Sequence, residues 1–214
     1  NLGMVLLLAP LAKAAGTPHA GGPQGSVSRV LSELSVEDAR HAFEAIRLAA
    51  PGGLGDSTIH DVHAPEVSVT LLEAMRAAQS RDAVAREYVT DFGITFDIGY
   101  AALCRFLEEG HQFSDAVVQT ALTILSRVPD TLIARKEGLV TARAVSEQAA
   151  QVLEAGGAFS PRGREALEAF DRAIRDDEHR LNPGTTADLT TAAIFALLVE
   201  GDGLERFPDL LARW

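Results

Sequence analysis

The sequence predicts an all-α fold: a compact multi-helix bundle of about nine or ten helices forming one domain over residues 1–214. Three observations predict it. The composition is 47% hydrophobic but only 6% aromatic, and Ala and Leu, which favour helices over strands, dominate the apolar set. Apolar residues recur at three- and four-residue spacings, with no convincing alternating strand anywhere. There is also no heptad array and no repeat of fixed period. With 214 residues the chain can bury a core of its own.

The opening run Leu2 to Ala12 looks like a signal peptide, but no basic segment precedes it and it is too short to span a bilayer. It reads as a core helix entered midway, without an initiator methionine, so an upstream segment is expected. Gly16 to Gly25 is a Gly/Pro/His loop. Ser35-Val36-Glu37-Asp38 is a capping box opening a helix through Ala39, Ala42, Phe43, Ile46 and Ala49, stopped by Pro51-Gly52-Gly53. Pro51 to Val67 lacks any apolar period, and loops of such length in compact domains are usually functional or disordered.

Helical patterning resumes from Val69 to Gln79, starting at Ser68 or Thr70. Asp82 to Glu109 reads as one long helix with Ala85, Tyr88, Phe92, Phe96, Leu103 and Leu107 on its apolar face, bent at Gly93 and Gly99. Ser114 caps a helix that Pro129 ends, and Asp130 to Glu137 is short and polar. Thr141 to Leu153 runs up to Gly156-Gly157. Ser160-Pro161 starts a helix reaching about Asp177, with Pro in its first turn. Leu204 to Trp214 closes the chain.

The helix Thr185 to Val199 is the one the others are organised around. Asn182-Pro183-Gly184 forces a turn, Thr185 is placed to cap the helix, and Asp188 completes a Thr-x-x-Asp capping box. The residues beyond are nearly all apolar, so the helix is expected to be buried. Its start offers N–H groups and hydroxyls to a phosphate, and a carboxylate to a proton or a magnesium ion. The plainer reading is a well-capped core helix.

The net charge of −11 argues against a nucleic-acid partner. Phosphorylated small molecules remain open, because local cations and a metal can reverse the sign within a pocket. No membrane partner is expected. Cys104, the only cysteine, excludes an intrachain disulfide, fits a reducing cytoplasm, and reads as a packed core thiol.

Several short motifs carry weaker signals. Gly52-Gly53-Leu54-Gly55-Asp56 is Gly-rich but lacks the lysine and preceding strand of a P-loop. His60-Asp61-Val62-His63 holds potential metal ligands without tetrahedral spacing. Asp82 follows Arg81 at a helix junction, and Asp130-Thr131 precedes Arg135-Lys136. Asp176-Asp177-Glu178-His179-Arg180 reads as a solvated face.

The octapeptide Asn182-Pro183-Gly184-Thr185-Thr186-Ala187-Asp188-Leu189 resembles the C-terminal signature of the triphosphoribosyl-dephospho-CoA synthase family. The resemblance continues in Pro129-Asp130-Thr131 with Arg135, and in Thr70-Leu71-Leu72-Glu73-Ala74-Met75 with Arg81-Asp82. Pro51-Gly52-Gly53-Leu54-Gly55 with Asp61-Val62 is similar to the branch found in archaea and one-carbon-using bacteria. Such enzymes join ATP to dephospho-CoA with loss of adenine. The resemblance implies an all-helical fold and a magnesium-nucleotide site.

On that basis Asp188, Asp130 and Asp82 are expected as catalytic carboxylates, with Asp61 and Asp188 as Mg2+ ligands. Asn1, Gly3, Gly53, Gly55, Arg81, Arg135, Asn182, Gly184, Thr185 and Thr186 are expected to bind substrate and phosphate. The implied substrates are ATP and a phosphorylated acceptor such as dephospho-CoA, and homo-oligomerisation is left open. Two departures stand out: Leu2 takes the place of a family lysine, and Leu132 that of a common asparagine. They keep two other readings in play, a related ribosyl-phosphate transfer in one-carbon cofactor biosynthesis and a non-catalytic nucleotide-binding protein.

Overall fold

In the computed structural model, residues 1–17, 22–49, 66–175, 178–200 and 207 are described. Among them all regular structure is helical, in eleven α-helices, one π-helical segment and one 3-10 turn. The expected loop over Pro51–Val67, apart from its last two residues, lies outside the described residues, as does the expected closing helix apart from Phe207. The chain divides into two compact units, Asn1–Gly93 and Ile94–Trp214.

The first unit contains α1 (Leu2–Gly16), α2 (Gly22–Ser32), α3 (Val36–Ala49), α4 (Leu71–Ala78) and α5 (Ala83–Val89). Leu7, Leu11 and Ala14 are buried on α1 at the three- and four-residue spacing of one helix face. The buried Tyr88 hydroxyl donates to the Leu6 carbonyl at 2.7 Å, tying α5 to α1. Burial also pushes the Tyr88 phenol well above its ordinary pKa.

Side-chain caps fix the starts of α3 and α4. The Ser35 N–H and hydroxyl donate to the Asp38 carboxylate at 2.7 and 2.6 Å, holding its pKa below the usual range. Thr70 and Glu73 make a reciprocal capping box, which fixes the start of α4 at Thr70 rather than Ser68.

Two readings of this region need correction. The loop expected up to Gly25 ends earlier, because α2 begins at Gly22. Its Val27, Val30 and Leu31 bury one face, and such packing outweighs the poor helix propensity of Gly22-Pro23-Gln24-Gly25. The long helix expected from Asp82 to Glu109 is broken, not merely bent. Asp91 and Phe92 take left-handed φ values of 51° and 61°. The Phe92 N–H then turns back to the Glu87 carbonyl at 2.8 Å, closing α5. Phe92 is fully buried, which offsets the cost of that backbone.

The second unit opens with the π segment Ile94–Tyr100 and α6 (Ala101–Glu108). Then come α7 (Phe113–Arg127), α8 (Thr131–Glu137), α9 (Leu139–Glu154), a 3-10 turn (Gly157–Phe159), α10 (Pro161–Ile174) and α11 (Gly184–Val199). Gln112, not Ser114, sits at the cap position of α7, with no side-chain cap bond. Val128 is extended ahead of Pro129, so α7 stops where the proline requires it.

As expected, α11 is deeply set, with Leu189, Ala192, Ala193, Ala196 and Leu197 all buried. The π segment lies against it. A Cβ on Gly99 would stand 2.8 Å from Ala193 Cβ and 3.2 Å from Ile124 Cδ1, so only glycine permits this approach. A separate cluster of Leu122, Leu125, Ile133, Val145, Val152 and Phe170 joins α7, α8, α9 and α10. Cys104 is buried and in no disulfide, as the sequence predicts.

Candidate active site

Asp130 is the centre of the second unit's polar chemistry. It follows Pro129 in extended conformation and caps α8: Oδ1 accepts from the Leu132 and Ile133 N–H groups at 2.9 and 3.2 Å. Its other oxygen serves a different helix. Oδ2 accepts from the N–H of Thr186 at 2.7 Å and from its hydroxyl at 2.8 Å, across 56 residues of sequence. The side chain is thus fully engaged, and the residue is 1% exposed. Two helix starts, each carrying the partial positive charge of its dipole, meet at one carboxylate.

Neighbouring contacts reinforce the join. The Thr131 hydroxyl bonds that of Thr185 at 3.2 Å, and Lys136 Nζ donates to the His179 carbonyl at 3.1 Å. Leu132 packs on Gly184, where a Cβ would come within 2.6 Å of Leu132 Cδ2.

The start of α11 therefore differs from the expected capping box. Pro183 occupies the cap position and there is no side-chain cap bond from the local sequence, so Thr185 is not the N-cap. The Asn-Pro-Gly turn is real and tighter than expected. With Pro183 at φ −78° and ψ 65°, the Gly184 N–H returns to the Asn182 carbonyl at 2.8 Å, an inverse γ-turn. Gly184 is needed for room beside Leu132 rather than for a left-handed backbone. Pro183 brings no N–H, and the Gly184 and Thr186 N–H groups have protein acceptors. The anion this helix end already holds is Asp130.

Asp188 is half-buried at the fifth residue of α11, and Arg135 is half-buried at the fifth residue of α8. The two thus hold equivalent positions on helices whose starts share one cap. Asn182 is exposed on the turn. The structure brings together Asp130, Gly184, Thr185 and Thr186 from the expected set, and adds Thr131, which the sequence reading did not select.

The remaining expected residues belong to the first unit or fall outside the described residues. In the first unit, Asp82 caps α5, its Oδ1 accepting from the Val84 and Ala85 N–H groups at 2.8 and 3.2 Å. Arg81 is exposed just before it, while Asn1 is exposed at the start of α1 and Gly3 half-buried within it. Gly53, Gly55 and Asp61 lie outside the described residues. Glu87 on α5 was also missed and is fully buried. Its spacing of three and four from Val84 and Ala83, both buried, was the signal that it faces the core. Among the described residues no three His, Cys, Asp or Glu side chains cluster as a metal cage, and no helix is long and apolar enough to cross a membrane.

Comparison with known proteins bears on what this arrangement does. The family model for CitG: ATP:dephospho-CoA triphosphoribosyl transferase matches residues 1–206. A Pseudomonas paraeruginosa protein assigned as a 2-(5''-triphosphoribosyl)-3'-dephosphocoenzyme-A synthase is 34% identical over 116 residues, covering 54% of this chain and 36% of that protein. A Pseudomonas fluorescens protein of the same assignment is 29% identical over 116 residues, covering 54% and 39%. The chain thus spans little more than a third of the length of these curated relatives. The crystal structure of an Archaeoglobus fulgidus protein, assigned as a triphosphoribosyl-dephospho-CoA synthase, superposes with a TM-score of 0.71 at 28% identity. That match covers 93% of this chain and 82% of the other.

Proposed function

The chain belongs to the CitG family of ATP:dephospho-CoA triphosphoribosyl transferases, and from that premise we propose that it transfers the triphosphoribosyl part of ATP to an acceptor hydroxyl. The acceptor is dephospho-CoA. One observation carries the proposal: the family match runs through residues 1–206 and so includes both helix starts, Arg135 and Asp188.

In the reaction the acceptor oxygen bonds to the ribose anomeric carbon as the glycosidic bond to adenine breaks. Adenine leaves with that electron pair and takes up a proton, while the acceptor hydroxyl gives its proton to a base. The triphosphate stays on the ribose. The proton is assigned to Asp188, a half-buried carboxylate one turn into α11, and such a base is worth roughly 10²–10⁴-fold in rate. Arg135, one turn into α8, supplies fixed positive charge for the triphosphate.

Magnesium, when bound, neutralises phosphate oxygens. Asp188, with the triphosphate oxygens, would hold such an ion. The buried thiol of Cys104 fits a reducing cytoplasm.

The test is to incubate the protein with ATP, magnesium and dephospho-CoA and to follow free adenine by chromatography. Adenine release that depends on dephospho-CoA is expected. Release only with a different hydroxyl acceptor would move the assignment to a related ribosyl-phosphate transfer. Saturable nucleotide binding with no adenine from any acceptor would overturn the transferase reading. Leu2, in the place of a family lysine, is the residue that makes this outcome worth testing.

A further inference from the structure

We infer that Asp130 is a positioning residue: it fixes the start of α11, and through it Asp188, without itself meeting substrate. The inference rests on the transferase reading, but its test does not depend on turnover.

A carboxylate has about four lone-pair sites, and Asp130 has four donors on them: two backbone N–H groups of α8, and the N–H and hydroxyl of Thr186. Taking a proton or a metal would require uncapping one of the two helices. At 1% exposure it also has no open side to present to a ligand. Its reach is what matters. Thr186 is the third residue of α11 and Asp188 the fifth, so the bond lies within one helical turn of the proposed base. The local sequence provides no side-chain cap for this helix. Asp130 is therefore the side chain that anchors the first turn, and the turn carries Asp188. A misplacement of about 1 Å in a reacting group can cost about 10²-fold in rate, so a remote anchor is enough to control catalysis.

The experiment compares wild type, Asp130→Asn, Thr186→Val and the double variant. Thr186→Val keeps the side-chain shape but removes the hydroxyl donor, and Thr186→Ser restores it. Three quantities are read: steady-state adenine release, thermal melting, and amide hydrogen exchange of Thr186, Ala187 and Asp188 in the first turn of α11. Expected for Asp130→Asn is a roughly 10- to 100-fold fall in kcat with the KM for ATP changed by less than about threefold. Thr186→Val should give a smaller fall that Thr186→Ser reverses, and the double variant should be no worse than Asp130→Asn. Exchange of those amides should quicken in both single variants.

Unchanged exchange of those amides in folded variants would overturn the inference, as would rate losses that multiply in the double variant. Should Asp130→Asn fail to melt cooperatively, Thr186→Val and its serine rescue decide the matter alone. If wild type releases no adenine, the transferase reading fails, and the exchange still shows whether Asp130 anchors this turn.

Discussion

Asp82 accepts from the Val84 and Ala85 N–H groups at 2.8 and 3.2 Å, and Asp130 from those of Leu132 and Ile133 at 2.9 and 3.2 Å. As local caps the two are interchangeable. They part company at the second oxygen of Asp130, which holds the start of a helix 56 residues away. Asp82 is half-buried, whereas Asp130 is sealed. A local cap is a contract among four neighbouring residues. A shared cap belongs to the fold, and its loss is felt in two helices at once.

The sharpest test of that difference is equilibrium unfolding in urea. Asp130→Ala leaves several buried donors without an acceptor, and a loss of about 3–5 kcal/mol is expected. Asp82→Ala removes one ordinary cap and should cost about 0.5–2 kcal/mol. Equal losses would erase the distinction.

Thr186→Val is the next largest effect. It removes one hydrogen bond to a charged group, and should destabilise by about 1.5–3 kcal/mol in the same assay. Combined with Asp130→Ala it should add little, whereas with Asp82→Ala the two losses should sum.

Two glycines extend the contrast to rigid and yielding neighbours. Gly99→Ala drives a methyl against Ala193 Cβ and Ile124 Cδ1, and about 1–3 kcal/mol of overpacking is expected. At Gly184 the obstacle is the tip of Leu132, which can rotate aside, so Gly184→Ala should cost less. Melting temperatures of the pair check the order.

The smallest effect concerns pH. The native Tyr88 phenol titrates above its ordinary value, so the folded state keeps its proton where the unfolded chain begins to lose it. The stability this contributes is complete below the unfolded pKa of about 10 and declines as pH rises beyond it. Tyr88→Phe should cost about 1 kcal/mol at neutral pH, through the lost bond to Leu6, and should flatten the alkaline decline. Asp130→Ala should leave that decline in place. Urea midpoints from pH 7 to 11 make the measurement.

What could be read from the sequence follows the range of the interaction. The all-α class was legible in composition and spacing, and so were the Ser35–Asp38 cap and the start of α4, whose partners lie three residues apart. Ser160 with Pro161 likewise marks α10, its hydroxyl accepting from the Gly163 N–H at 2.9 Å. The cap of α11 was misassigned to Thr185 because its true acceptor is remote in sequence. The break at Asp91–Phe92 was hidden by an apolar rhythm that continues through it, and a 3.6-residue period cannot register the π segment after it. Of the site, Asp130 and Thr186 were each chosen for their chemistry, but the bond between them was not visible. Thr131 and Glu87 were passed over because a threonine or a glutamate beside a helix start looks like surface.

The shared cap also has a history within each folding event. The two bonds at Asp130 Oδ1 reach two and three residues ahead and can form with the first turn of α8, on the submicrosecond scale of helix growth. Those at Oδ2 must wait until the chain between 130 and 186 has been ordered, since closing so long a loop carries an entropic cost that local contacts avoid. One carboxylate therefore matures in two stages. Thr186→Val should speed unfolding while leaving the refolding rate nearly untouched, whereas replacing Asp130 should slow refolding as well if α8 belongs to the nucleus.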